Sequence, residues 1–176
     1  MLYCTGHPGN KVWWLTILQE ISRDQASYSL ESHKTVSTII MAPNVTFTDY
    51  AGPGEHNRKV FSYSQAVRIG SVVKCSGQGG WDAQGTLAKD DIKQQVQYAF
   101  DNLERCIKEA GGKGWSDVYA VRSWHTNLDE SFPVIVEQFK RSMPDHAPIW
   151  TCVGVASLAL PGMEIEIDCE AYVESK

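Results

Sequence analysis

The stretch Met163-Glu164-Ile165-Glu166-Ile167-Asp168-Cys169-Glu170-Ala171-Tyr172-Val173 decides the fold, because apolar and polar side chains alternate strictly along it. Successive side chains of a β-strand point to opposite faces of the sheet, so a period of two is typical of a strand with one buried face. The odd-numbered side chains of this stretch are predicted to face a core. The even-numbered ones, four of which are acidic, face away from it.

Four further β segments are predicted upstream of this strand. Two short apolar runs between Val67 and Gly77 flank Gly70-Ser71, a pair suited to a type II′ hairpin turn. Residues 117–127 are rich in β-branched and aromatic side chains, and residues 149–156 form another apolar run before the final strand.

A helix with one buried face is predicted from Ile92 to Ile107, where apolar residues recur at spacings of three and four. Asp90 or Asp91 can cap its start, and Gly111-Gly112 ends it.

Ser131 is predicted to cap a second helix, which Pro144 stops. The resulting order, β-β-α-β-α-β-β, indicates an α+β fold: a mixed β-sheet with two helices packed on one face.

The composition excludes several classes of protein. The 176 residues carry a net charge of -5, and the 16 Lys and Arg residues are scattered, which disfavours nucleic-acid binding. No apolar run is long enough to cross a membrane. The five cysteines show no paired spacing, which favours free thiols in a reducing compartment, the cytoplasm in the first instance.

Residues 1–40 differ from the rest and are interpreted as an N-terminal extension, poorly packed or the product of a mis-assigned start, with the domain proper at residues 41–176. The apolar run Val12–Leu18 is too short to span a bilayer. Acidic residues such as Glu20 and Asp24 argue against a mitochondrial presequence, although a mitochondrial location stays open.

Three separated blocks resemble those of one known family: Tyr63-Ser64-Gln65-Ala66 with Cys75-Ser76-Gly77-Gln78, then Thr151-Cys152-Val153, then Pro161 to Asp168. Together they look like the Rid family, also called YjgF or endoribonuclease L-PSP and including RutC-like proteins. The family is best known for hydrolysing reactive enamines and imines. The resemblance implies a chorismate-mutase-like fold and a homotrimer with clefts between neighbouring subunits.

The resemblance also implies roles for individual residues. Glu166 matches the glutamate that positions water, and Tyr63, Gly77 and Cys152 match residues around the substrate. Trp150 stands where deaminating members carry an arginine that holds the substrate carboxylate. Because tryptophan offers a flat apolar face and one N–H donor, Trp150 favours a more aromatic or apolar ligand.

Each of these residues also has a structural interpretation. Glu166 lies in a row of acids that could simply form the solvated face of a strand. Cys152 has no histidine near it in sequence, which favours a small packing residue over a nucleophile. Trp150 either stacks on a ligand or fills the seam between subunits.

The sequence therefore predicts a hydrolase of the Rid type, or a related proton-transfer enzyme, that acts on a small metabolite without cofactor or metal. A non-catalytic trimer that binds a metabolite or protein is the first alternative. RNA cleavage is the least favoured, given the acidic balance of the chain.

Overall fold

The final strand has the two faces that its sequence predicts. The computed structural model describes residues 45–174, so the predicted extension at residues 1–40 lies outside the described residues. Strand β7, Ile165–Tyr172, runs through the middle of the sheet with its odd-numbered side chains buried and its even-numbered ones half-buried or exposed. The buried side chains pack into the main core, which also includes Val121, Leu103 and Ile107.

The strands form one mixed sheet in the order β1-β2-β3-β7-β5-β6. Every adjacent pair is antiparallel except β5 and β6, which are parallel. The short strand β4 pairs with β7 beyond the end of β3. The other strands are β1 (Val45–Thr48), β2 (Ala66–Ile69), β3 (Val72–Cys75), β4 (Gln78–Gly79), β5 (Val118–His125) and β6 (Ile149–Gly154).

The predicted hairpin is formed by β2 and β3. Gly70 has a φ of 60°, whereas Ser71 is not among the residues with positive φ, as a type II′ turn requires. The predicted hairpin turn at Gly70-Ser71 is therefore confirmed.

Three helices accompany the sheet: α1 (Pro53–Phe61), α2 (Ile92–Glu109) and α3 (Leu128–Ser142). The Asp91 carboxylate caps α2 by accepting a hydrogen bond from the Gln94 amide at 3.0 Å. Helices α2 and α3 contact each other through rings such as Phe100 and Phe139, 5.5 Å apart, and cover the core face of the sheet. The predicted α+β fold, a mixed sheet with two helices on one face, is confirmed.

Two details of the prediction are wrong. The start of the second long helix is Leu128, directly after Asn127, and Ser131 lies inside the helix. Ser131 is not the cap because it already lies in the first turn, where its hydroxyl donates back to the Asn127 carbonyl. Strand β1 and helix α1 were also not predicted, and they add an edge strand and a third helix.

Candidate functional site

Glu166 lies on the face of β7 that points away from α2 and α3, opposite Gly79 of β4 and Trp124 of β5. Its side chain is half-buried. Burial raises the pKa of the Glu166 carboxyl, and the negative charge of Asp168 raises it further. A carboxyl with a raised pKa exchanges its proton closer to neutral pH, which suits a general acid or base.

A β-bulge places Gly77 against this carboxylate. Lys74 pairs with Glu170 of β7, and Gln78 pairs with Ile167. The five residues from Lys74 to Gln78 therefore lie opposite only four residues of β7, so one extra residue bulges out of the pairing. A Cβ atom at Gly77 would overlap Oε1 of Glu166 and lie 2.7 Å from its Cδ. A glycine is therefore needed at position 77 for the carboxylate to occupy its position.

A buried hydrogen-bond network holds this bulge. The Gln78 amide Nε2 donates to Gln65 Oε1 and to the Gly77 carbonyl, both at 3.0 Å. Tyr50 donates its hydroxyl proton to Gln78 Oε1 at 3.0 Å and accepts from Trp81 Nε1 at 3.1 Å. Burial raises the pKa of Tyr50 to about 12, so the phenol stays protonated and keeps donating.

Glu166 and Gly77 open into a cavity of about 710 Å³. Its volume lies within the range of small-molecule sites. Tyr63, whose hydroxyl accepts from Asn57 Nδ2 at 3.0 Å, forms part of the wall. The lining residues share a mainly apolar and aromatic character, and they include Pro53, His56, Asn57, Phe61, Trp81, Leu160 and Met163.

The acidic side chains of β7 differ in whether a basic side chain pairs with them. Arg122 pairs with Asp168 at 2.9 Å and with Glu170 at 3.3 Å, and Lys74 pairs with Glu170 at 3.1 Å. Among the described residues, none of these ion pairs includes Glu166. The carboxylate at the cavity is thus the member of the row that keeps its charge uncompensated.

Trp150 lies on the opposite face of the sheet, toward α3. Its indole Nε1 donates to Ser123 Oγ at 2.9 Å, and its ring stacks on Phe132 at 5.3 Å and meets Phe139 edge-on at 5.0 Å. Cys152, two residues further along β6, shares this face and lines a smaller groove of about 370 Å³ with Phe132.

His125 is fully buried between two serines, with Nδ1 2.7 Å from Ser131 Oγ and Nε2 2.7 Å from Ser123 Oγ. Because the Ser131 proton is directed to the Asn127 carbonyl, Nδ1 must carry the imidazole proton and Nε2 accepts from Ser123. Burial lowers the pKa of His125, which favours this neutral form. Burial raises the pKa of Cys152, while its hydrogen bond with Ser123 opposes that shift, so the thiol stays protonated.

The predicted site residues therefore fall into two groups. Tyr63, Gly77 and Glu166 line one cavity. Trp150 and Cys152 lie on the other face of the same sheet and do not line that cavity. A single chain does not bring the two groups together.

The sequence analysis missed part of the cavity wall. His56 and Phe61 lie on α1, the helix that was not predicted, and Leu160 lies in the loop before β7. The apolar side chains at these positions were the one feature of the sequence that could have indicated a cavity wall. Their spacing along the chain does not show that they lie together in the fold. Trp81 was not missed: its place in the glycine-rich loop 79–85 and its aromatic ring suggest that it lines a cleft with Tyr63, and its ring is held by the hydrogen bond to Tyr50.

Between residues 45 and 174, no group of three or more His, Cys, Asp and Glu side chains is arranged to hold a metal ion. None of the helices described in that range has the length and apolarity to span a bilayer.

The protein has a mixed sheet, helices on one face of it, and a glutamate on the other face that lines a cavity. By these features it is a small α+β protein with a candidate binding site on the open face of its sheet. A sequence profile of the endoribonuclease L-PSP family matches residues 56–173. The chain therefore belongs to the Rid family, also called YjgF or endoribonuclease L-PSP.

Named relatives agree with this assignment. The chain is 40% identical to the RutC family protein YjgH of Escherichia coli over 63% of this chain and 82% of that protein. It is 33% identical to a 2-iminobutanoate/2-iminopropanoate deaminase of Dermatophagoides farinae over 64% of this chain and 86% of that protein. Protein mmf2 of Schizosaccharomyces pombe, named as mitochondrial, is 31% identical over 62% of this chain and 86% of that protein.

Solved structures support the fold. A structure of protein YjgH superposes with a TM-score of 0.64 at 34% identity, covering 74% of this chain and 98% of that one. A member of the YjgF/YER057c/UK114 family from Mycobacterium tuberculosis gives a TM-score of 0.61 at 29% identity, covering 73% of this chain and 99% of that one.

Proposed function

We propose that this protein hydrolyses an enamine or imine of a small aromatic or apolar metabolite. The observation that carries the proposal is the Glu166 carboxylate, half-buried at the wall of a 710 Å³ cavity and closely fitted against Gly77. The similarity to a relative named as a 2-iminobutanoate/2-iminopropanoate deaminase supports the reaction class.

Glu166 orients the attacking water and exchanges its proton. The carboxylate accepts a proton as the water oxygen bonds to the imine carbon, and it returns the proton to nitrogen as ammonia leaves. The raised pKa of Glu166 makes its carboxylate a stronger base for the first of these steps. Backbone groups near Gly77 polarise the reacting group.

The complete cleft is formed between two copies in a homotrimer. Glu166 and Trp150 lie on opposite faces of one sheet, so a cleft that contains both must take one residue from each of two subunits. In that cleft Trp150 stacks on the substrate, and the backbone around Cys152 contributes to binding. The half-buried, protonated thiol of Cys152 is not a nucleophile in this mechanism.

The aromatic wall selects the ligand. Phe61, Trp81, Leu160 and Met163 present apolar surface to the cavity. A flat, apolar metabolite buries more of its surface here than a short amino-acid imine, and burial contributes about 25 cal/mol per Å². The free thiols favour a reducing compartment, the cytoplasm or the mitochondrial matrix.

Replacing Glu166 tests the mechanism. Glu166→Gln keeps the shape of the side chain and removes its acid–base function, so imine hydrolysis should fall by roughly 10²–10⁴-fold. Glu164→Gln, immediately before β7 and outside the cavity lining, is the matched control and should retain full activity. Ammonia release from freshly generated imines measures both.

The outcome separates this proposal from its alternatives. Equal activity of wild type and Glu166→Gln would remove the mechanism. Saturable binding of a metabolite without turnover would identify a non-catalytic binding protein. Cleavage of single-stranded RNA at low salt would favour the nuclease activity that the family description names, against the acidic character of the face around Glu166.

A further inference from the structure

The charges that one chain contributes to the cavity have one predominant sign. Glu166 is the carboxylate among the described lining residues, and Lys and Arg do not occur among them. His56 is the one described lining side chain able to carry positive charge, and it is exposed to solvent. The guanidinium of Arg122 lies on the same face of the sheet but is bonded to both Asp168 and Glu170.

Aromatic rings surround this negative charge. Trp81 is buried and fixed through its indole nitrogen, and Phe61 and Tyr63 also line the cavity. The faces of aromatic rings attract cations, and the attraction strengthens where water is excluded. A carboxylate combined with aromatic walls therefore forms a surface complementary to an organic cation.

We propose that the substrate of this cavity is a cationic imine without a carboxylate group, formed from a primary amine rather than from an amino acid. This inference rests on the proposed hydrolytic function and specifies its substrate class. The protonated imine carries its charge on the nitrogen that Glu166 must reach during hydrolysis. A carboxylate on the neighbouring carbon would bring a second negative charge close to Glu166.

The reaction balances without a further reactant. An iminium R–CH=NH₂⁺ and one water give the aldehyde R–CHO and NH₄⁺: a C–O bond forms, the C–N bond breaks, and the two water protons end on nitrogen. Glu166 transfers one of these protons and is regenerated. The reaction that supplies such a substrate is the oxidation of a primary amine, and a reaction that consumes its product takes an aldehyde.

Two imines that differ only in the carboxylate test the inference. Phenylalanine oxidised by an amino-acid oxidase gives the carboxylated imine, and phenethylamine oxidised by an amine oxidase gives the carboxylate-free one. The rate of ammonia release, measured with and without the full-length protein, follows the hydrolysis of each imine. Repulsion between like charges in a partly shielded site predicts a preference of about tenfold or more for the carboxylate-free imine.

A cation placed in the cavity should change that preference. Leu160 is exposed at the wall, so Leu160→Arg adds a guanidinium without opening the core. We expect this variant to shift the ratio of the two rates at least about tenfold toward the carboxylated imine. Leu160→Gln, which adds a polar group of no charge, should keep the wild-type ratio.

The possible failures are distinguishable. Faster hydrolysis of the carboxylated imine by the wild type, dependent on Glu166, would overturn the substrate class and leave the hydrolase intact. An unchanged ratio in Leu160→Arg would also overturn the substrate class. Decay of both imines at the rate seen without protein would overturn the proposed function together with this inference.

Discussion

A side chain at position 77 competes for space with the Glu166 carboxylate, so Gly77→Ala should displace that carboxylate. The added methyl group would overlap Oε1 in the present geometry. Because a displacement of about 1 Å at a catalytic group can reduce turnover by roughly 10²-fold, we expect a loss of that size in the rate of imine hydrolysis.

The cause of that loss can be checked with a shorter acid. Glu166→Asp withdraws the carboxylate by one methylene and lowers activity by itself. If the methyl group acts through Glu166, Gly77→Ala should cost much less in the Glu166→Asp background than in the wild type. Equal losses in both backgrounds would mean that the methyl group acts on the bulge itself.

The distinct environment of Glu166 could not be predicted from the sequence. Alternation along β7 correctly places three acids, Glu166, Asp168 and Glu170, on one face, but it treats them as equivalent. Arg122 on β5 and Lys74 on β3 distinguish them, because those cations pair with Asp168 and Glu170. Such ion pairs depend on how β3 and β5 are aligned with β7. The alternation of residues within one strand does not specify that alignment.

At the scale of single elements, strongly periodic segments were predictable and α1 was not. Helix α2 buries one complete face, and its spacing of three and four residues is visible in the sequence. Helix α1 buries only Pro53 and Gly54, and it begins after Gly52, whose φ is 81°. With so little burial, no apolar period marks it, and the part of the cavity wall that it carries was missed.

The start of α2 gives a test at this scale. The sequence allowed either of two aspartates as the cap, and the structure places the hydrogen bond on Asp91. Asp91→Ala should lower the free energy of unfolding by about 1 kcal/mol. Asp90 has a φ of 60°, so Asp90→Gly relieves strain there and should not destabilise the protein. Urea unfolding of both variants gives the comparison, and a greater loss in Asp90→Gly would contradict the assignment of the cap.

At the scale of the whole molecule, the sheet buries one face and exposes apolar side chains on the other. Phe47 on β1, Ile69 on β2 and Tyr172 on the central strand β7 are exposed, as are Ile149 and Val153 on the edge strand β6. The alternation in the sequence predicts which residues leave the core but not whether a second copy covers them. Exposed apolar residues concentrated on one face are typical of an interaction surface.

This face gives the last prediction, that a charge on it separates the subunits of the proposed homotrimer. Ile149 is 74% exposed, so Ile149→Glu removes little packing within one chain. Burying the new carboxylate between subunits should weaken assembly by on the order of 10²-fold or more, and activity should fall with it, because the proposed cleft takes residues from two copies. Val60→Glu makes the same kind of change on α1, where the side chain is 54% exposed and outside the cavity lining. Light scattering coupled to size-exclusion chromatography should show smaller species for Ile149→Glu alone. A monomeric Ile149→Glu variant with full activity would show that one chain forms the whole site.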